Sequence, residues 1–177
     1  MLNRTENELS FLVKIKEKLL RLNIYLKEIN FDSEMSEFEL SKHINQIKVM
    51  QGNINNDFSL LSTLCAKDYL MSKYDLPIID FAKKPQGAPG LDIDIFTKDG
   101  KRIIAEIKTT VPYSQAKNDF GAQQKNTIKK DFLKLNSEVA DYKFFFVTDE
   151  ETYEILNRKY SYQIPDVQII LLRLFEE

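Results

Sequence analysis

The 177-residue chain is 43% hydrophobic and 29% charged, the balance of a globular protein large enough to bury a real core. Its single cysteine excludes an internal disulfide and a multi-cysteine zinc site, and its single histidine argues against a His-based metal cluster or a Ser-His-Asp triad. The net charge of −2 speaks against a protein that coats nucleic acid non-specifically, yet residues 98–134 carry nine Lys/Arg against four Asp/Glu and residues 135–177 carry four against nine. A basic middle and an acidic end suggest one face meant for an anion. No signal peptide opens the sequence and no apolar run approaches the roughly 20 residues of a membrane span. A cytoplasmic protein with no membrane partner is therefore expected.

The first element is a long helix. Thr5 and Glu8 form a capping-box pattern, and Leu12, Ile15, Leu19, Leu22, Leu26 and Ile29 follow at alternating spacings of three and four. That seam packs either on the protein's own second helix or on a second copy. The second helix is expected from Ser36 to Met50, again with a Ser-x-x-Glu start, and His43 on its polar flank has no assigned role. "QGNINND" (51–57) is a turn-rich break, so residues 1–52 read as an N-terminal helical region, for dimerisation or as a clamp on a nucleic acid, and 53–177 as the main domain.

A third helix is expected over 57–74, with Leu60, Leu61, Leu64, Tyr69, Leu70 and Met71 on its apolar side and Cys65 as a buried, inert thiol. Pro77 ends it, and "IIDF" (78–81) reads as the first strand. A Pro/Gly loop, "KKPQGAPG" (83–90), leads into the hairpin "GLDIDIFTKDGKRIIAEIKTT" (90–110). A fourth helix is expected over 119–139, with Ile128, Phe132, Leu135 and Val139 on one face. "YKFFFVT" (142–148) reads as a fully buried strand. A short acidic helix (150–158) and a last strand (167–174) complete the chain. The fold class is mixed α/β, with a central mixed sheet of about five strands flanked by helices and an N-terminal helical extension.

The hairpin carries the chemistry. A two-residue Asp-Gly turn would mix acids with isoleucines on both faces. A loop of Lys98-Asp99-Gly100 with a left-handed Gly100 pairs Thr97 with Lys101 and separates them. Leu91, Ile93, Ile95, Ile103, Ala105 and Ile107 then share one face; Asp92, Asp94, Phe96, Arg102, Ile104, Glu106 and Lys108 share the other. A one-residue slip swaps every side chain between faces, so the hydrophobic pattern selects this register. Asp92 then lies opposite Glu106, with Lys108 next along the same face. Two acids about 5 Å apart repel unless a cation neutralises them. Oxygen ligands alone select Mg²⁺, with Mn²⁺ as a substitute. A lysine beside them can hold a water and stabilise developing negative charge, as phosphodiester hydrolysis requires.

"GLDIDI" followed by "AEIKTT" resembles the active-site signature of the PD-(D/E)xK nuclease superfamily, whose core is a helix, a three-stranded meander, a helix and a further strand. The likeness covers residues 57–148 and, loosely, the rest of the chain. "KPQGAPGLDIDI", "AEIKTTVPY" and "FGAQQKNTIKKDFLKL" together look most like bacterial type II restriction endonucleases. The resemblance implies a restriction-endonuclease-like core in which Asp92, Glu106 and the Ile107 carbonyl bind Mg²⁺ and Lys108 positions the attacking water. Leu91 stands where the usual Pro would be, which leaves Asp94 as a rival first acid. Gln124 could orient a water or contact the scissile phosphate, or be a polar helix end, and Asp57 could supply an extra acid. Phosphate and DNA contacts are expected from Lys83, Lys84, Gln86, Thr109, Thr110, Tyr113, Lys117 and Lys125. Lys125, Lys129, Lys130 and Lys134 read as a solvated face from which some could reach phosphates. The implied partners are double-stranded DNA and a second copy of the chain, with a cognate DNA methyltransferase in the host. A nuclease for branched or damaged DNA, or a non-catalytic DNA-binding subunit, stays open as an alternative.

Overall fold

The computed structural model describes residues 4–29, 34–84, 88–112 and 119–172. Its first helix, α1, spans Glu6–Glu28 and opens with the expected capping box, the Thr5 hydroxyl and the Glu8 carboxylate each accepting the other's backbone N–H. The second, α2 (Glu37–Gln51), opens on the same motif from Ser36 and Glu39 and closes at Gly52, which adopts φ 52°. The third helix, α3 (Ile54–Lys73), begins earlier than the expected residue 57 because the Asn53 side chain caps the Asn56 N–H. Cys65 on α3 is half-buried rather than fully enclosed, and burial pushes its thiol pKa up.

Four strands form one sheet among the described residues, in the order β1 (Ile93–Phe96), β2 (Arg102–Lys108), β3 (Tyr142–Val147) and β4 (Gln168–Leu171). β1 runs antiparallel to β2, while β2–β3 and β3–β4 are parallel. Helix α4 (Ala122–Ser137) links β2 to β3, and α5 (Glu150–Lys159) links β3 to β4. Both faces of the sheet are covered. Ile104 and Phe145 pack with α4 and α5 residues on one side; Ile93, Ile103, Phe144 and Phe146 pack with α3 on the other. This explains the unbroken Phe144-Phe145-Phe146 run: a strand buried on both faces has no polar side.

The hairpin register is the expected one, with Phe96 opposite Arg102 and Asp94 opposite Ile104. Thr97 and Lys101 close the loop through a 2.9 Å backbone bond, and Gly100 sits at φ 85°, a left-handed conformation that a Cβ disfavours. Leu91 departs from its expected face. The ladder starts only at Ile93, Gly90 turns the chain at φ 101°, and Leu91 packs beside Ile104 and Phe120 instead.

Among the described residues the sheet has four strands instead of about five, because residues 78–81 form none. Their backbone groups are captured by a buried ion pair. Lys67 Nζ lies 2.9 and 2.8 Å from the two Glu8 oxygens and donates to the Ile79 carbonyl at 2.8 Å, while the Phe81 N–H donates to Glu8 at 3.1 Å. A short 3₁₀ turn (Phe81–Lys83), capped by Asp80, follows. The same pair ties α1 to α3, so the start of the helical region is anchored in the core, whereas α2 buries no residue. His43 on α2 meets the Tyr25 hydroxyl at 2.9 Å.

Helix α4 is shorter than expected at both ends. Gln124 closes back on the Gly121 N–H at its start. At its end Arg102 draws out Glu138 and the Val139 carbonyl, both at 3.0 Å, leaving the Val139 side chain 88% exposed rather than on the apolar face. The last strand is described to Leu171; residues 173–177 lie outside the described residues.

Candidate active site

At the open end of the hairpin the chain gathers its ionisable groups. The ladder ends at Ile93–Ala105, one residue short of the expected Asp92–Glu106 pair; Asp92 Oδ2 instead accepts the Ile107 N–H at 2.8 Å, and its charge is close enough to act on Glu106. Glu106 and Lys108 share the β2 face that α4 covers. Helix α4 meets them with two charged side chains: Lys108 Nζ lies 2.7 Å from Asp131 Oδ2, and Lys134 Nζ lies 3.0 Å from Glu106 Oε1. Glu106 is only 3% exposed. Burial, and next the repulsion of Asp92, push its carboxyl pKa up to about 8, against the pull of Lys134.

Asp131 and Lys134 are the site residues that the sequence reading missed. Gln124, Ile128, Asp131, Phe132 and Leu135 are the buried residues of α4 and recur at helical spacing. An aspartate inside a buried arc must find a cationic or hydrogen-bonding partner, and that was the available signal. The run of lysines around it disguised Lys134 as surface.

The donors fit a hard divalent ion. Asp92 and Glu106 offer carboxylates, Ile107 offers a carbonyl, and Mg²⁺ commonly takes one or two carboxylates and completes its shell with water. Among the described residues no group of three or more His, Cys, Asp or Glu side chains is close enough to hold a metal, so such an ion would rest on two acids.

Asp92 also borders a cleft of about 380 Å³ whose lining includes Phe11, Lys18, Asp57, Phe81 and Lys84. Asp57 and Lys84 thus reach the same hollow as Asp92, and Lys18 of α1 pairs with Asp57 there. Lys84 donates to the Leu91 carbonyl, and Lys83 beside it is exposed.

Other candidates stand apart. Asp94 is held by Arg102 through bonds of 2.9 and 2.7 Å, which keep its carboxyl below the usual range. Gln124 is buried, with its amide nitrogen on the Val111 carbonyl at 2.8 Å and its oxygen on Gly121. Lys125 pairs with Asp119 at 2.8 Å. Thr109 and Thr110 are half-buried just past β2, where the Thr110 carbonyl accepts the Thr152 hydroxyl at 2.7 Å. Gln86, Tyr113 and Lys117 lie outside the described residues.

Fold and site together define a mixed α/β protein with an open four-stranded sheet and a cluster of acids and lysines between β2 and α4. No described helix is long and apolar enough to cross a membrane. Compared with known proteins, the chain matches no family model, no curated protein and no solved structure.

Proposed function

We propose that the protein is a Mg²⁺-dependent endonuclease of the PD-(D/E)xK superfamily that cuts double-stranded DNA, acting as a homodimeric type II restriction enzyme. The observation that carries this reading is the cluster at the open end of the hairpin, where Asp92, just ahead of the β1–β2 ladder, acts on the buried Glu106 and Lys108 lies next on the Glu106 face of β2. Asp92, Glu106 and the Ile107 carbonyl would hold the ion. Bound there, Mg²⁺ supplies positive charge beside the scissile phosphate and acidifies a water.

The rest belongs to the chain's own side chains. Lys108 and Asp131 are each 12% exposed, so their 2.7 Å ion pair is sheltered and fixes where the ammonium points. Lys108 orients the attacking water by a hydrogen bond and donates to the phosphoryl oxygens as negative charge grows on them. Asp131 acts through Lys108 as a positioning residue. Lys84, which lines the cleft, and the exposed Lys83 beside it supply charge to the DNA backbone.

The test is cleavage of plasmid DNA with Mg²⁺ by the parent and by Lys108→Ala. Cutting is expected to disappear while duplex binding stays within a few-fold, because this lysine works on the transition state rather than on ground-state affinity. Near-normal turnover in the variant would remove the assignment. Sequencing the ends of the parent's digest shows whether one sequence is cut, and a four-way junction run beside the linear duplex separates a restriction enzyme from a structure-specific nuclease.

A further inference from the structure

The two lysines at the site are held in different ways. Lys108 is enclosed and bound to Asp131. Lys134 comes from the exposed flank of α4, is 43% exposed, and bends its ammonium inward over the acids. Its Nζ lies 3.0 Å from Glu106 Oε1, 3.4 Å from the Gly90 carbonyl and 3.7 Å from Asp131 Oδ1. All three neighbours are oxygens, and Asp92 is close enough to act on the same charge. A hard cation would find its donors in this place.

We propose that Lys134 is a resident counter-ion standing where the divalent cation binds, so that its ammonium must leave Glu106 for solvent when the site loads. This rests on the reading above, in which Asp92 and Glu106 are the metal's carboxylates. The physical reason is geometric: Glu106 is buried, and the carboxylate edge it offers to a cation is the one the Lys134 ammonium holds at 3.0 Å. An ammonium and a divalent ion cannot share one carboxylate edge at contact distance without strong repulsion. Lys134 has an exit, since its flexible four-carbon stem is already partly in water. Lys108 has its own carboxylate and need not move. Metal binding therefore works against the Lys134–Glu106 pair, and the helix sets the cation concentration at which the site fills.

The experiment is Mn²⁺ titration of the DNA-free protein by calorimetry, for the parent, Lys134→Gln, Lys134→Met, Lys134→Arg and Glu106→Gln, with circular dichroism to check folding. Lys134→Gln and Lys134→Met are expected to bind Mn²⁺ about tenfold more tightly than the parent. Lys134→Arg, which keeps the charge, should stay near the parent. Unchanged or weaker binding in whichever neutral variant folds overturns the counter-ion role while leaving the nuclease reading standing, provided the parent binds and Glu106→Gln does not. Undiminished binding by Glu106→Gln, or no binding by parent and neutral variants alike, overturns both.

Discussion

Asp92 and Asp94 are two residues apart and chemically identical, yet their surroundings separate them. Asp94 is neutralised by a forked contact with Arg102, which also reaches Glu138. Among the described residues Asp92 is met by a hydrogen bond from the Ile107 backbone N–H, and it faces the cleft. Asp92→Asn is expected to abolish plasmid cleavage. Asp94→Asn should keep most of the turnover and lose at most about 1 kcal/mol of stability, the worth of an exposed ion pair. Cleavage rates and urea midpoints check both, and the reverse ranking of rates would transfer the acid's role to Asp94.

Among the elements, the segment 78–81 shows how strongly a buried charge can direct the backbone. Its isoleucines suit a strand, but Glu8 and Lys67 take the hydrogen bonds that a ladder would need. Lys67→Met strands the Glu8 carboxylate in the core and is expected to cost about 3–5 kcal/mol in urea unfolding. Adding Glu8→Leu should recover much of that loss, since apolar replacement of both partners removes the desolvation cost. A single variant as stable as the parent would sink the idea.

A second charged clamp joins α4 to α5. Partial burial of Asp119 works to raise its carboxyl pKa, but Lys125, the Tyr160 hydroxyl and the Phe120 N–H together hold it down to about 2, from an ordinary 3.8. A carboxyl depressed in the folded state binds fewer protons there than in the unfolded chain. Its contribution is therefore complete above the ordinary value and is lost as the pH falls through the folded one. Asp119→Asn should be less stable than the parent near neutral pH, with the gap closing toward about pH 2. A gap that persists undiminished in acid would assign the loss to packing.

At the scale of the whole molecule, the N-terminal helices leave a broad apolar surface uncovered. Leu19 is 50% exposed and Phe38 80%, and Leu20, Ile24, Leu26, Ile44 and Val49 are exposed around them. Apolar surface of this kind is what the proposed dimer would cover. Cutting both strands of a duplex needs two centres of opposite polarity, which a two-fold dimer supplies. Leu19→Glu with Leu22→Glu is expected to give folded monomers, by light scattering and circular dichroism, that nick poorly. Insoluble protein with a lost helix would place the seam inside one subunit. A folded, fully active dimer would defeat both versions.

The amino-acid sequence alone determined what depends on neighbours along the chain. The capping boxes at Thr5 and Ser36, the left-handed Gly100, the β1–β2 register from Ile93–Ala105 to Phe96–Arg102, and the buried Phe144–Phe146 run follow from local bonding, turn geometry and side-chain alternation. Only the tertiary structure decided the rest. Glu8 reaches across the fold to unmake a strand at 78–81, Arg102 releases Glu138 and Val139 from α4 and occupies Asp94, and Asp131 and Lys134 meet Lys108 and Glu106 only once α4 lies on β2. A buried charge takes the partner that packing brings to it, and sequence spacing holds no record of which partner that is.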